Sequence, residues 1–189
     1  YDLTVQVSDG NGGTDTQAIA VTVTNVNEAP LITSDGGGAT ASVSAAENQT
    51  VATTVTSSDI DGGAAVYSIA GGADAALFTI NATTGVLSFN SAPNYEAPSD
   101  AGGNNVYDVT VQVSDGAGGT DTQAIAVTVT NANEAPVITS NGGGVAAAVS
   151  AAENQIAVTT VTSTDVDGGA AAYSIAGGAD AALFTINAS

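Results

Sequence analysis

Residues 107–130 have the sequence YDVTVQVSDGAGGTDTQAIAVTVT, in which apolar and polar side chains alternate on both sides of a glycine-rich centre. Alternation with period two is typical of strands that bury one face. Residues 1–24 carry nearly the same sequence, and the match continues to the C-terminus with a period of 106 residues and 68 of 83 overlapping positions identical. A period of this length predicts tandem whole domains rather than a solenoid of short repeats.

Short alternating segments separated by Gly, Asn, Asp and Ser recur along the whole chain, and no segment has helical periodicity with caps. We therefore predict an all-β protein built of tandem seven-stranded Greek-key sandwiches of the immunoglobulin type, arranged head to tail. The strands predicted within one repeat, lettered A to G, are 31–43, 51–57, 65–70, 77–80, 86–89, 107–114 and 123–130.

Two prolines mark the predicted domain junctions. Pro30 and Pro136 each follow an Asn-Glu-Ala sequence just after a strongly alternating strand. Residues 30–135 are then one complete repeat, 1–29 are the last two strands of a preceding repeat, and 136–189 are the N-terminal part of a following one. The chain is expected to be a segment of a longer protein.

The charge is entirely acidic: 19 Asp and Glu residues and no Lys, Arg or His give a net charge of −19, and Cys is absent too. Such a surface repels nucleic-acid phosphates and anionic lipids, and no apolar run has membrane-spanning length, so we predict neither nucleic-acid binding nor membrane insertion. Without Cys and His, the usual zinc ligands and the usual general base are missing. The carboxylates must be balanced by something outside the chain, and a metal ion is the candidate.

Strand direction predicts where the acidic loops lie. Consecutive antiparallel strands reverse direction, so loops after strands B, D and F lie at one end of a repeat, and loops after A, C, E and G lie at the other. The first group contains Asp59, Asp61 and Asp115; the second contains Glu47, Glu96, Asn131, Asn133 and Glu134.

Head-to-tail stacking brings the two ends together. The second group would meet Asp165 and Asp167 of the following repeat, and Asn25, Asn27 and Glu28 of the preceding repeat would meet the first group. Calcium accepts six to eight oxygen ligands in flexible geometry, whereas magnesium requires a strict octahedron and transition metals prefer nitrogen and sulfur. The sequence therefore predicts calcium sites at the junctions.

Six motifs occur in the order and spacing of a known family. They are Ala46-Glu47-Asn48, Asp59-Ile60-Asp61-Gly62 ahead of Tyr67-Ser68-Ile69, Thr84-Gly85-Val86-Leu87, Asn94-Tyr95-Glu96, Ser114-Asp115-Gly116 and Asn131-Ala132-Asn133-Glu134-Ala135-Pro136. The chain thus resembles the cadherin repeats, in a bacterial-type version. The resemblance implies about two or three calcium ions per junction, which stiffen a rod of domains.

The chain departs from the cadherin pattern in its linker, which is one residue shorter and begins with Asn25 or Asn131 where the family often has Asp. Asn94 likewise replaces an acidic ligand, so one ion position per junction is expected to be weak or vacant. The alternative is that the loop carboxylates are simply solvated. For Asp2, Asp15, Asp74 and Asp100, which lie outside the motifs, solvation is the expectation.

The leading functional hypothesis is a non-enzymatic stalk or adhesive segment of a large repetitive protein, secreted or attached to a cell surface. Its expected partners are calcium ions and neighbouring repeats, with homotypic contacts, strand-exchanged filaments or surface glycans as open possibilities. A carbohydrate-binding accessory module of a polysaccharide-active protein is the alternative, although the chain has no Trp to form a sugar platform. Paired carboxylates such as Asp59 and Asp61 could serve glycoside hydrolysis only in a cleft, so we predict no enzyme.

Overall fold

The computed structural model describes residues 1–188, and its regular structure consists of short strands and single turns of 3-10 helix. The strands are β1 (Asp2–Ser8), β2 (Thr14–Ala20), β3 (Leu31–Ile32), β4 (Thr40–Ala46), β5 (Val51–Thr54), β6 (Ser57–Ser58), β7 (Val66–Gly71), β8 (Phe78–Ile80), β9 (Val86–Phe89), β10 (Val106–Ser114), β11 (Thr120–Thr130), β12 (Val137–Ile138) and β13 (Ser163–Thr164). The 3-10 turns are η1 (Ser34–Gly36), η2 (Ala75–Leu77), η3 (Ser140–Gly142) and η4 (Ala181–Leu183). The all-β prediction is confirmed.

Strands β3 to β11 form a sandwich. One sheet has the order β4-β11-β10-β7 and the other β5-β9-β8, with the short pair β3-β6 beside them. The alternation of the sequence determines the inner face, because Val109, Val111 and Val113 of β10 and Ile125 and Val127 of β11 are each at most 1% exposed. Burying a side chain of this size contributes about 1.5–3 kcal/mol, so the period-two pattern supplies most of the core.

Three aromatic rings fill one part of the core. The centroids of Phe78 and Phe89 are 4.5 Å apart, and Tyr107 meets Phe89 edge to face at 5.2 Å. These rings come from β8, β9 and β10, so they join the two sheets. The loop between β9 and β10, residues 90–105, begins and ends beside them.

Strand A differs from the prediction because it is broken in two. Asp35, Gly36 and Gly37 have φ values of 51°, 93° and 65°, and a run of left-handed residues cannot continue a strand. The break lets β3 pair antiparallel with β6 while β4 pairs parallel with β11, so strand A contributes to the four-stranded sheet and to the separate β3-β6 pair. Strand B is also divided, into β5 and β6. Between them, the Thr56 carbonyl accepts the N–H of Thr33, and the Val55 N–H donates to the Gly85 carbonyl.

The sequence repeat is reproduced in the pairing of strands. β1 and β2 form a hairpin that pairs Asp2 with Ala20, as β10 and β11 pair Asp108 with Ala126. β12 and β13 pair as β3 and β6 do. The boundaries proposed at residues 30 and 136 stay a prediction, and Ser189 of the third segment lies outside the described residues. No helix among residues 1–188 is both long enough and apolar enough to span a membrane.

Candidate metal centre

Glu47 is the buried centre of the acidic loops. It follows the end of β4, its N–H donates to the Thr130 carbonyl at 3.0 Å, and its side chain is 1% exposed. Its carboxylate accepts the N–H of Tyr95 at 2.9 Å and the N–H of Ala132 at 2.8 Å. One carboxylate therefore fixes both the loop that carries Glu96 and the linker that follows β11.

Glu47, Glu96 and Glu134 form an acidic cluster, in which one oxygen of each carboxylate lies within 4.8 Å of the others. The amide of Asn131 donates to Glu96 Oε1 at 3.2 Å, and the amide of Asn48 donates to Glu134 Oε1. Glu134 Oε2 is buried and has no hydrogen-bond partner within the described residues. Burial raises the pKa of Glu134, and the neighbouring charges of Glu47, Asp167 and Glu96 raise it further, against the Asn48 hydrogen bond, which lowers it.

The Asp-Val-Asp loop of residues 165–167 contacts the same linker. The N–H of Glu134 donates to Asp167 Oδ2 at 2.6 Å, and the N–H of Asp167 donates to Asp165 Oδ1 at 3.1 Å. Asp167 Oδ1 is buried with no hydrogen-bond partner in the part of the chain that the structure describes. Asn133 donates to the Glu134 carbonyl rather than to these aspartates. The linker N–H groups are thus bound by Glu47 from the segment before the linker and by Asp167 from the segment after it.

The linker at residues 25–28 makes the same backbone contact with its Asp-x-Asp loop. The side-chain amides of Asn25 and Asn27 also donate to aspartates, Asn25 to Asp61 and Asn27 to Asp115. The N–H of Glu28 donates to Asp61 Oδ2 at 2.6 Å, as Glu134 does to Asp167. Asn25 donates to Asp61 Oδ1 at 2.6 Å, and the N–H of Asp61 donates to Asp59 Oδ1 at 2.9 Å. Hydrogen bonds from the Glu28 backbone and the Asn25 amide lower the pKa of Asp61. A side-chain hydrogen bond with Asp61 and the negative charge of Asp61 raise the pKa of Glu28.

Asp115 is presented by the turn between β10 and β11. It accepts the Asn27 amide at 2.7 Å and the backbone N–H groups of Ala117 and Gly119 at 2.7 and 2.9 Å, and these bonds, led by that of Asn27, lower its pKa. A Cβ at Gly119 would lie 2.3 Å from Asp115 Oδ2 and 2.7 Å from Ala29 Cα. Only glycine therefore lets this turn approach the linker.

The predicted residues thus fall into two groups in space. Asn25, Asn27 and Glu28 contact Asp61 and Asp115, and Glu134 contacts Asp167. Asn131 and Asn133 do not reach Asp165 or Asp167 in these hydrogen bonds, because their amides bind Glu96 and the Glu134 carbonyl. In all of these contacts the Asn side chain offers its NH₂ to an oxygen; to bind a cation it would turn its oxygen inward.

The donor set fits calcium. Every side chain in both groups offers oxygen, the sequence has no His or Cys, and no Lys or Arg is present to neutralise the carboxylates. The buried oxygens Glu134 Oε2, in the linker, and Asp167 Oδ1, in the 165–167 loop, lack hydrogen-bond donors among residues 1–188. A buried carboxylate oxygen without a donor carries a desolvation penalty that a bound cation removes.

The expectation that Asp74 and Asp100 are solvated is wrong. Asp74 is 4% exposed and Asp100 is 7% exposed, and both accept backbone N–H groups. Asp2 and Asp15 are exposed, as expected. A possible signal was the length of the loop at residues 90–105, since a long loop that packs against a core needs acceptors for its N–H groups.

Comparison with known proteins identifies the fold. A family model described as a bacterial Ig domain matches residues 27–128. The cis-dimer structure of protocadherin gammaB7 EC3-6 is similar with a TM-score of 0.56 and 22% identity, over 89% of this chain and 44% of that chain. The extracellular domain of protocadherin gammaB4 is similar with a TM-score of 0.53 and 22% identity, over 100% of this chain and 33% of that one.

Human protocadherin-24 EC1-2 shares 26% identity over 60% of this chain and 49% of that one, with a TM-score of 0.47. The chain spans less than half the length of each of these three structures. No curated protein sequence matches the chain. The bacterial Ig family model and the protocadherin gammaB7 and gammaB4 structures confirm the predicted cadherin-like, immunoglobulin-like fold.

Proposed function

The chain belongs to the bacterial Ig domain family, and from that premise we propose that it is a calcium-rigidified structural or adhesive segment of a large extracellular protein. Domains of the immunoglobulin-like and cadherin-like type are typically extracellular structural modules rather than enzymes. The proposal adds that consecutive repeats stack head to tail and that calcium at each linker sets their relative orientation.

The observation that carries the proposal is a pair of buried carboxylate oxygens at the second linker that have no hydrogen-bond donor among residues 1–188. Glu134 Oε2 and Asp167 Oδ1 belong to sequence segments 33 residues apart, and the Glu134 N–H already joins those segments. Solvated loop carboxylates would face water instead. A cation bound by both residues would attach the linker to the 165–167 loop and restrict the bending between them.

The residues proposed to hold the ions are the two groups described above. At residues 131–134 these are Glu47, Glu96, Asn131, Asn133, Glu134, Asp165 and Asp167, and at residues 25–28 they are Asn25, Asn27, Glu28, Asp59, Asp61 and Asp115. We propose about two or three ions per junction, with one position weakened where Asn25 and Asn131 replace a charge.

The energetic effect of calcium follows from ordinary extracellular affinities. Extracellular modules bind calcium with dissociation constants of about 0.1–1 mM, and a site at about ten times its dissociation constant adds roughly 1.4 kcal/mol. Several sites acting together would therefore make a junction rigid at the calcium concentration outside a cell. The same ions offset part of the charge of −19.

The test is calcium titration of the full 189-residue chain by calorimetry, combined with small-angle X-ray scattering in calcium and in chelator. We expect a saturable isotherm, and an interrepeat distance distribution that narrows when calcium is added. No binding heat at millimolar calcium, together with identical scattering curves, would exclude the proposal. Sodium at the same ionic strength is the control for general screening of charge.

A further inference from the structure

The loop that connects β9 to β10 carries Glu96, yet residues 90–105 contain no strand or helix of their own. Holding such a loop in one conformation costs about 1–2 kcal/mol of backbone entropy per residue. A ligand on this loop is in place before an ion arrives only if other contacts fix the backbone. Two buried carboxylates that take no part in the acidic cluster make such contacts.

Asp74 precedes η2 and connects the loop to the sandwich. One of its oxygens accepts the N–H of Ala101 at 2.7 Å, and the other accepts the N–H of Asp108 in β10 at 2.8 Å. A Cβ on the nearby Gly72 would lie 2.4 Å from the Asp108 carbonyl, so the two backbones approach as closely as glycine permits. Asp74 therefore fixes the second half of the loop to the core strand.

Asp100 folds the loop back on itself. Its carboxylate accepts the N–H groups of Asn104 and Asn105, each at 3.0 Å, and its carbonyl accepts the N–H of Gly103 at 3.1 Å. Burial raises the pKa of Asp100, but the backbone hydrogen bonds outweigh burial and the pKa is lowered. The hydrogen bonds of the loop therefore favour the ionised form of Asp100.

Asn105 transmits this geometry to the acidic cluster. Its side-chain amide donates to the Tyr95 carbonyl at 2.8 Å, and its own carbonyl accepts the N–H of Val129 in β11 at 2.8 Å. The N–H of Tyr95 then donates to Glu47 Oε2 at 2.9 Å. A continuous chain of bonds therefore runs from Asp100 through Asn105 and Tyr95 to Glu47, and it passes the residue next to Glu96.

We propose that Asp74 and Asp100 are positioning residues that set Glu47 and Glu96 for cation binding. Asp100 acts through the chain Asp100–Asn105–Tyr95–Glu47. Asp74 acts by fixing Ala101, the neighbour of Asp100, to β10 at Asp108. This inference rests on the calcium-binding function proposed above. Neither aspartate touches the ion; each accepts the N–H groups that hold the Glu96 loop in its bound conformation. The site is then preorganised, so the binding energy of the ion is not spent on ordering the loop.

The chain itself supplies a matched control. Asp180 occupies the same place before η4 as Asp74 does before η2, in the same Gly-Ala-Asp-Ala-Ala-Leu-Phe context, but its side chain is exposed. Asp180→Asn therefore removes the same charge without touching the Glu96 loop. The linker at 25–28 is a second internal control, because its contacts with Asp61 and Asp115 lie outside the chain of bonds.

The test uses terbium, a hard trivalent ion that takes the same oxygen ligands as calcium and whose luminescence is sensitised by a nearby tyrosine. Tyr95 adjoins Glu96, and the part of the signal that disappears in Tyr95→Phe reports this site. Titrations compare the full chain with Asp74→Asn, Asp100→Asn, Asn105→Gly and Asp180→Asn, with calcium as competitor. The melting temperature of each variant is measured in chelator.

Asn105→Gly separates positioning from stability. Asn105 has a φ of 62°, which glycine adopts without strain, so this variant keeps the turn but loses the bond to Tyr95. We expect Asp74→Asn, Asp100→Asn and Asn105→Gly to weaken binding at the Tyr95 site by about tenfold or more, as loss of the residues that orient metal ligands does elsewhere. Asp180→Asn should bind like the unmodified chain.

Two results would overturn the inference for different reasons. Unchanged terbium affinity in folded Asp100→Asn and Asn105→Gly would show that the loop needs no positioning, and calcium binding itself would stand. No saturable binding of terbium or calcium by the unmodified chain would remove the proposed function, and the inference with it. If Asp74→Asn or Asp100→Asn does not fold, Asn105→Gly decides the outcome alone.

Discussion

The backbone N–H of Glu134 lies 2.6 Å from Oδ2 of Asp167, and Glu28 makes the same bond, at the same distance, to Asp61. The two linkers are 106 residues apart in the sequence. The repeat therefore reproduces a specific three-dimensional contact as well as a strand pattern. The two candidate ion sites are therefore separated along the sequence by one 106-residue period.

Removing the aspartates of the 165–167 loop tests whether they are ligands. We expect the double variant Asp165→Ala, Asp167→Ala to abolish calcium binding at the second linker, because it removes both carboxylates of that linker's Asp-x-Asp loop. Binding at the first linker should stay intact, because Asp59 and Asp61 are unchanged. Calorimetry should then show a loss of about half the binding heat. The control, Asp2→Ala with Asp15→Ala, removes the same charge from exposed positions outside both groups. A full isotherm in the first double variant would rule these residues out as ligands.

Calcium binding should release protons in mildly acidic solution. The pKa of Glu134 is raised by burial and by its acidic neighbours, so as the pH falls through this pKa an increasing fraction carries a proton that the ion must displace. Affinity should therefore fall as the pH is lowered, and the release should vanish near neutral pH. Calorimetry at one pH in two buffers of different ionisation heat measures the protons released, and Glu134→Gln is the control. Equal heats in both buffers at acidic pH would contradict the prediction.

In chelator, the pKa values of the same groups predict opposing effects of pH on stability. Glu134 has a raised pKa in the folded state, so its protonation stabilises the fold as the pH falls. Asp61, Asp100 and Asp115 have lowered pKa values, so the stability that they contribute is present above their unfolded pKa and is lost as the pH falls through the folded one. Urea unfolding of Glu134→Gln against pH should therefore show a steeper loss of stability towards acid than the unmodified chain. Superimposable profiles would argue against a raised pKa.

Gly85→Ala should strongly destabilise the sandwich. Gly85 has a φ of +70°, and an added Cβ would lie 2.0 Å from the carbonyl oxygen of Val55. The Val55 N–H also donates to the Gly85 carbonyl, so the two backbones cannot easily separate. Overpacking and the left-handed backbone together should lower the free energy of unfolding by about 3 kcal/mol or more. Gly116→Ala is the matched control, since its φ of +76° is nearly the same and no atom lies within 4 Å. It should lose only about 1 kcal/mol. Equal losses by urea unfolding in chelator would mean that the close contact is unimportant.

Calcium should stabilise the chain more than sodium does at equal ionic strength. Sodium screens the charge of −19 without bridging carboxylates, whereas calcium binds both sides of a linker. The melting temperature should rise with each salt, further with calcium, and magnesium should lie between them because it gives up its water reluctantly. Differential scanning calorimetry measures the three shifts. The same rise with all three salts at one ionic strength would indicate screening alone.

Much of the fold could be predicted from local pattern. The alternation of Val109, Val111 and Val113 places these residues on the inner face of a strand, and all three are buried. The alternating direction of consecutive strands also predicts which ends of the sandwich carry Glu47 and Asp61. The break in strand A was missed because left-handed φ values at Asp35 and Gly36 leave only a weak signal in a sequence with many glycines. The break in strand B was missed because it falls at Val55 and Thr56, where no glycine or proline marks a turn.

The sequence by itself determined the period-two strands, the 106-residue repeat and the restriction to oxygen ligands, because alternation and composition are local properties of the chain. Only the tertiary structure decided which carboxylates are buried. Asp74 is 4% exposed because it accepts N–H groups 27 and 34 residues away in the sequence. Burial of a carboxylate depends on donors that distant segments bring to it, so the residues next to Asp74 in the sequence do not indicate that it is buried.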